Sequence, residues 1–412
     1  MSKPRIEEWT QLRGLAFLAI VMQHSIAEYI YRTDIEPADS IMLTMIYHLT
    51  RFGTPTFVFL SAVLLFYNYG EKFHYVRFIR KRLGDVYVPF LLWTLIYWLY
   101  VRIFTPSFWQ KGGQEWSTLL HELIVPQTGY QLWFIIMIIQ FYIFFPVMAV
   151  VFRVVRSRLE PLNEQSRNRS VFAIIAGTGV FYMVLLYLSY HQMGNWSEKL
   201  GSPWSDLVQY RSYSFLMYGF YFVIGAVCAA SIGKWRTWCT RLLPWSGLVF
   251  LGMYIRLGYD VLRGSGEVVN LNISTYLKPS TFIIIVAQML LLYGLLIMMQ
   301  GRNKMFLRLL AWIGKYSFGG YLVHALIIYV IAYFTRPMAL EGSHVSFTLL
   351  TFILTVLAAL GISYTLSHMP GSRWTVGVRR RSSHRGALKD SDFRTEAPAL
   401  LNANTGQFTQ SQ

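Results

Sequence analysis

Long apolar blocks dominate the chain, in place of the alternating or 3.6-residue patterns of soluble proteins. Several blocks exceed the about 18 residues that indicate a membrane-spanning helix. The second block contains Gly53 and Pro55, which predicts a kink or break there. The pattern predicts an all-α, polytopic membrane protein, a bundle of about ten transmembrane helices. The predicted segments are 14–31, 41–69, 87–106, 130–152, 171–190, 212–231, 243–260, 279–300, 313–335 and 346–368.

Composition and charge support a membrane protein and argue against a nucleic-acid partner. The chain is 54% hydrophobic and 14% charged, whereas soluble domains carry about 25% charged residues. The net charge of +17 arises from Lys and Arg in alternate loops: 26 lie on the side of the N-terminus and six on the opposite side. This positive-inside pattern places both termini in the cytoplasm of a multi-pass plasma-membrane protein.

The end of the chain differs in composition from the rest. Residues 370–412 begin with a basic run and contain few apolar residues, which predicts a disordered cytoplasmic tail near anionic lipid. Residues 1–369 would then form the transmembrane domain and carry any chemistry.

The two cysteines, Cys228 and Cys239, predict neither a metal site nor a disulfide framework, so we expect no metal and no bound cofactor.

Arg13 and His24 are costly residues inside the first apolar segment. Eleven steps of about 100° make about three turns, so both side chains share one helix face about 16 Å apart. Arg13 would lie at the cytoplasmic rim and His24 near the bilayer centre. Glu28 follows one turn later and can orient the imidazole, which makes His24 a candidate general base. The alternatives are a buried structural histidine or a proton-relay member.

A basic loop follows the second segment. Arg77, Arg80 and Lys81 are spaced so that a short helix presents them on one face, with Arg82 next in sequence. Guanidinium groups in this arrangement suit phosphate groups. The alternative is that the loop only anchors the protein at the membrane surface.

Four further polar residues lie within the apolar segments and are candidates for lining a cavity or stabilising an oxyanion. Arg51 adjoins the predicted break, and Gln140 lies at mid-depth in the fourth segment. Tyr321 and His324 share one helix face with Ser317 in the ninth segment. Each can equally fill a structural role, with Arg51 at the membrane interface and His324 in a buried hydrogen bond.

The ordered set of these motifs resembles the acyltransferase 3 family of bacterial membrane acyltransferases. Two departures are Ala62, where many relatives have glycine, and Gly84-Asp85, where a basic residue is usual. The matching pieces are Arg13-x10-His24, the stretch 52–61, Arg77-x-x-Arg80 before Pro89, Leu132-Trp133-Phe134 with Tyr142 and Pro146, and Gly314 through Ser317, Tyr321 and His324.

The resemblance implies a ten-helix enzyme that takes an acyl group, often acetyl or succinyl, from cytoplasmic acyl-CoA. Acceptors in the family are usually hydroxyls of surface glycans, exopolysaccharides or lipid-linked sugars. By position, His24 would be the catalytic histidine and Arg13 its essential partner, while Arg77 and Arg80 would help to bind the CoA phosphates. Acyl-CoA would then be a co-substrate rather than a bound cofactor.

Two functions of different classes fit the sequence. The first is O-acyl transfer with His24 as general base or as the group that carries the acyl. The second is a proton-coupled exporter of glycans or small anions, with His24, Glu28 and His324 as the relay. CoA binding that depends on Arg77 and Arg80 would separate them.

Overall fold

Every regular element in the described part of the chain is helical. The computed structural model describes residues 6–69, 74–104, 115–266 and 268–378, which belong to one compact unit. A π-helical turn at Leu83–Tyr87 joins α4 to α5, and a 3-10 turn at Tyr130–Leu132 precedes α7. The α-helices are α1 (Glu7–Ala27), α2 (Pro37–Leu49), α3 (Gly53–Tyr69), α4 (Tyr75–Arg82), α5 (Val88–Phe104), α6 (Glu115–Glu122), α7 (Trp133–Leu159), α8 (Glu164–His191), α9 (Met193–Lys199), α10 (Trp204–Gln209), α11 (Gly219–Ala230), α12 (Ile232–Arg241), α13 (Leu243–Gly264), α14 (Pro279–Met299), α15 (Lys304–Thr335), α16 (His344–His368) and α17 (Ser372–Val376).

Each of the ten predicted segments coincides with a helix or helix pair. Within the described residues, seven helical segments are long and apolar enough to cross a membrane. The number is eight if α11 and α12, bent by 114°, form one broken span. The helices α1 and α13 have spanning length, 21 and 22 residues, but are more polar. The all-α, multi-pass membrane architecture is therefore confirmed, whereas ten spans and cytoplasmic termini stay predictions.

The first helix lies earlier in the chain than the predicted segment 14–31. It runs from residue 7 to residue 27, because polar side chains at its start are paired inside the protein. The buried carboxylate of Glu8 accepts a hydrogen bond from Arg236 of α12 at 2.7 Å. His24 consequently lies in the last turn of α1. It is therefore nearer the helix end than the central position that the sequence predicted.

α1 is the central helix, and glycines bring it close to α15. It packs against α2, α3, α14, α15 and α16. A Cβ atom on Gly14 would collide with the backbone oxygen of Leu310, and one on Gly314 with that of Thr10. Small residues at such a crossing let two helix backbones approach closely. The two glycines therefore fix where α1 crosses α15.

Beyond this crossing, α1 and α15 run in the same direction in constant register. Phe17 packs against Gly320, and His24 lies beside His324. Both histidines are ten residues beyond their glycine. We name the end of the bundle at which α1 begins the Arg13 end, and the opposite end the His24 end.

The predicted break in the second segment is present between α2 and α3. α2 ends at Leu49 and α3 begins at Gly53. Carbonyl groups freed by such a break need partners inside a membrane. Gln23 donates to the carbonyl of Thr50 at 2.5 Å, and Gln288 donates to that of Leu49 at 2.6 Å. Glutamines from α1 and α14 thus hold the break in place.

A short C-terminal strap, residues 369–378, folds onto the Arg13 end. It contains α17, which packs against α5, α15, α16 and the π-helical turn. Arg373 forms an ion pair with Asp85 at 2.7 Å, and Trp93 donates to the carbonyl of Thr375 at 2.8 Å. The bundle therefore extends past residue 369, where the sequence placed its boundary. The predicted disordered tail from residue 379 onward lies outside the described residues.

Candidate active site

His24 lies where three elements converge. Its ring centre is 4.8 Å from that of Tyr130 in the 3-10 turn before α7, and 5.3 Å from that of His324 on α15. The side chain is half-buried. The imidazole is therefore held between packed rings and retains some access.

His324 adjoins His24, and Tyr321 adjoins His324. His324 is fully buried, and its Nδ1 lies 2.7 Å from the carbonyl oxygen of Tyr321. Its Nε2 has no hydrogen-bond partner among the residues that the structure describes. The Tyr321 ring lies 5.6 Å from that of His324, and its hydroxyl donates to the carbonyl of Gln131.

Arg82 occupies the interior of the Arg13 end. Its guanidinium lies 5.3 Å from the ring centre of Tyr142 on α7, and 5.6 Å from those of Tyr69 and Phe78. Arg13 is within electrostatic range of the same Tyr142. Positive charges from two different helices therefore act on one tyrosine, an arrangement that suits an anionic ligand.

The remaining basic residues of the predicted cluster face outward. α4 forms the short helix that the spacing predicted, and Arg77, Arg80 and Lys81 are exposed on it, whereas Arg82 is half-buried. The four residues thus divide into three at the surface and one that reaches the interior.

One face of α1 connects the two ends. His24 contacts Tyr130 in the turn before α7, and the charge of Arg13 acts on Tyr142 of α7. Helix geometry puts Arg13 and His24 about 16 Å apart along the axis. The arrangement provides cations at one end and an imidazole at the other.

Arg51 and Gln140 have structural partners. Arg51 is buried, donates to the Tyr47 hydroxyl at 2.7 Å and to the Ser274 carbonyl, and covers a tyrosine ring. Gln140 donates to the carbonyl of Tyr213 at 2.8 Å and accepts from the amide of Phe215 at 3.2 Å. These contacts hold the break before α3 and the turns before α11.

Glu28 forms an ion pair with Arg336 at the His24 end, so its carboxylate is directed to that residue rather than to the imidazole. A second ion pair, between Arg32 and Asp34, lies beside it. Arg32 donates to the carbonyl of Arg336 at 2.9 Å and to the carboxylate of Asp34 at 2.6 and 2.8 Å. The hydrogen bonds from Arg32 hold the pKa of Asp34 well below its usual range. This network ties the loop after α1 to the end of α15.

The sequence did not single out Tyr130 or Arg373. Tyr130 starts the fourth apolar segment, where aromatic residues commonly mark the membrane interface. Arg373 lies just past the last apolar segment, in what reads as a tail. Only tertiary packing brings the first to His24 and the second to Asp85. Within the described ranges, no group of three or more His, Cys, Asp or Glu residues is placed to hold a metal ion.

Comparison with known proteins identifies the family. A family model described as "Acyltransferase domain" matches residues 6–368, which is nearly the whole chain. The chain belongs to the acyltransferase 3 family. The resemblance inferred from the ordered motifs is thereby confirmed, and this protein is a membrane acyltransferase.

One curated relative shares part of this acyltransferase. It is a "Probable poly-beta-1,6-N-acetyl-D-glucosamine export protein" from Staphylococcus aureus strain MRSA252, 29% identical over 144 residues. The match covers 35% of this chain and 38% of the relative, so it spans well under half of either protein. No solved structure matches this acyltransferase.

Proposed function

We propose that the protein transfers an acyl group, acetyl or succinyl, from acyl-CoA to a hydroxyl of a surface glycan, exopolysaccharide or lipid-linked sugar. The observation that carries this proposal is the shared face of α1. Arg13 lies at one end of it, within electrostatic range of the Tyr142 ring that Arg82 covers, and His24 lies at the other, beside His324. An extended donor with phosphates at one end and a thioester at the other matches that arrangement.

The donor would enter at the Arg13 end, which we place in the cytoplasm. The charge count of the loops supports this orientation. Arg77, Arg80 and Lys81 on the surface of α4 would attract the CoA phosphates. Arg82 and Arg13 would bind the part of the donor that passes into the bundle.

The transfer step needs a base for the hydroxyl nucleophile. A neutral ring nitrogen of His24 accepts the hydroxyl proton as the oxygen attacks the thioester carbonyl. The new carbon–oxygen bond forms, the carbon–sulfur bond then breaks, and the proton on His24 passes to the departing sulfur. The products are the acylated sugar and free CoA. No bound cofactor takes part.

The acceptor class rests on the partial relative and on the family. The printed name of the relative concerns a polymer of N-acetylglucosamine, a glycan rich in free hydroxyls. Family members whose chemistry is acyl transfer need such a nucleophile. We therefore infer a bacterial envelope glycan as the acceptor, acylated at the plasma membrane.

The second candidate function is export, because the relative is named as an export protein. In that case His24, Glu28 and His324 would relay protons. The ion pair between Glu28 and Arg336 argues against a relay through Glu28, since the carboxylate is directed away from the imidazole.

The proposal is tested with purified protein in lipid nanodiscs. Acetyl-CoA or succinyl-CoA is supplied with β-1,6-linked N-acetylglucosamine oligosaccharides, and both CoA release and product mass are measured. We expect His24→Ala to lower the rate about 100-fold or more, because general base catalysis contributes 10²–10⁴. His191→Ala is the matched control, because His191 is exposed at the end of α8.

Acyl transfer that survives His24→Ala would refute the mechanism. An exporter would show neither CoA release nor CoA binding, and instead would move oligosaccharide across proteoliposomes in response to a proton gradient. The two functions therefore give opposite results in the same preparation.

A further inference from the structure

The protonation of the His324 ring follows from its hydrogen bond. Nδ1 lies 2.7 Å from the backbone oxygen of Tyr321. A carbonyl oxygen only accepts, so Nδ1 must carry the proton, and the neutral ring then has a bare lone pair on Nε2. That nitrogen is fully buried and has no partner in the described parts of the chain. An acceptor buried without a donor is costly.

The phenol protons of two nearby tyrosines, Tyr321 and Tyr97, are already used. The hydroxyl of Tyr321 donates to the carbonyl of Gln131, and that of Tyr97 donates to the carbonyl of Leu322 at 2.9 Å. Each phenol has a single proton. Neither tyrosine can therefore supply the hydrogen bond that Nε2 of His324 lacks.

His24 is at the right distance to supply it. Two imidazoles joined edge to edge by an N–H···N bond of about 3 Å have ring centres roughly 5 Å apart. The rings of His24 and His324 lie 5.3 Å apart and are tilted by 38°. A small rotation of the half-buried His24 ring suffices to complete the bond.

We propose that His324 is a positioning residue that fixes the tautomer of His24. One ring N–H of His24 donates to Nε2 of His324, which leaves the other His24 nitrogen bare. This deepens the proposed function, since that bare nitrogen is the base that removes the hydroxyl proton. His324 stays neutral throughout: its Nδ1 keeps its proton and donates it to the Tyr321 carbonyl, and the transferred proton resides on His24 alone before it passes to sulfur.

Two substitutions separate this role from a purely structural one. His324→Gln places an amide oxygen near the Nε2 position and so retains an acceptor for His24. His324→Asn places its amide near the Nδ1 position and so retains the bond to the Tyr321 carbonyl without the acceptor. We expect His324→Gln to keep the rate of CoA release from acetyl-CoA within about fivefold of wild type, and His324→Asn to lower it about 100-fold. The reverse order, or equal losses, overturns the proposal.

The pH profile of the residual rate gives a readout that packing alone would not change. The titratable groups in ring contact with the two histidines are the phenols of Tyr130 and Tyr321, and an ordinary phenol, with a pKa of about 10, stays protonated near pH 7. An acceptor on His324 favours the charged form of His24. We therefore expect the acidic limb of the pH–rate profile to move to lower pH by about one unit in His324→Asn. In His324→Gln the same limb should stay near its wild-type position. An unmoved limb in His324→Asn contradicts the pairing.

A spectroscopic test needs no turnover. Protein labelled with ¹⁵N-histidine is placed in nanodiscs, and the signals of His24 and His324 are assigned from His24→Ala and His324→Asn. We expect His324 to show a protonated Nδ1, and the ring signals of His24 to change from one tautomer to a mixture in His324→Asn. Unchanged His24 signals overturn the pairing. Absence of CoA release in wild type would instead refute acyl transfer while this measurement still decides whether the pair exists.

Discussion

Arg82 differs from its neighbours in sequence because its side chain enters the protein. Its guanidinium lies over three aromatic rings that include Tyr142, whereas Arg80 is exposed on α4. A charge held among rings and away from bulk water contributes more to anion binding than a solvated one. We therefore expect the two positions to contribute unequally to binding of the proposed donor.

We expect Arg82→Ala to raise the KM for acetyl-CoA about 10- to 100-fold, the loss of about 1.5–3 kcal/mol of charge-assisted hydrogen bonding. Arg80→Ala is the matched control and should raise it less than about fivefold, as an exposed pair is worth about 0–1 kcal/mol. Steady-state kinetics of CoA release measure both. Equal effects on the KM would show that the interior position of Arg82 does not contribute to donor binding.

Residue spacing predicted the shared face of Arg13 and His24, because the geometry of a single helix fixes it. The same spacing suggested Glu28 as the partner of His24. That suggestion could not include Arg336, which is more than three hundred residues away and pairs with Glu28 instead. The contacts of His24 with Tyr130 and His324 likewise depend on packing between helices.

At the scale of elements, the crossing of α1 and α15 determines how the site is assembled. Gly14 and Gly314 leave no space for a Cβ atom at the contact. Gly361 on α16 offers a contrast, because nothing lies within 4 Å of the place a Cβ would occupy. Packing therefore requires glycine at the crossing of α1 and α15 but not at position 361.

We expect Gly314→Ala to destabilise the protein by about 1–3 kcal/mol through overpacking and to lower the rate of acyl transfer. Gly361→Ala should leave the rate unchanged and stabilise the helix by up to about 1 kcal/mol. Thermal unfolding in nanodiscs and CoA release measure the two effects. A Gly314→Ala protein as stable and active as wild type would contradict the close crossing.

The apolar pattern predicted which segments are helical and where α2 and α3 separate, because lipid requires apolar helices and Gly53 with Pro55 disfavours continuity. It misplaced the start of α1, since Glu8 is buried and paired with the half-exposed Arg236. Polar residues that are paired inside a bundle look like loop residues in the sequence alone.

For the whole molecule, the C-terminal strap closes the Arg13 end. The guanidinium of Arg373 fills the space beside Gly84 and pairs with Asp85, next to Arg82. The strap thus holds the π-helical turn that directly follows the basic residues of α4. The strap is therefore part of the bundle, although its sequence resembles the start of a tail.

We expect a chain ending at residue 378 to acylate at the wild-type rate, because every described contact of the strap is retained. A chain ending at residue 371 should lose most donor binding and unfold at a temperature at least about 3 °C lower. Arg373→Gln should fall between the two. Fluorescence binding of CoA and thermal unfolding measure these effects, and equal behaviour of the two truncated chains would contradict a role for the strap.

Because α1 and α15 run side by side beyond their crossing, a small change in the crossing angle moves their far ends apart. Both histidines lie ten residues, about 15 Å, beyond the glycines at which the helices touch. Opening the crossing angle by about 10° would separate the imidazoles by roughly 2.6 Å at that arm length, enough to break any bond between them. Helix tilt responds to bilayer thickness. We therefore expect the rate of CoA release to differ between nanodiscs of different bilayer thickness, and an unchanged rate would contradict this coupling.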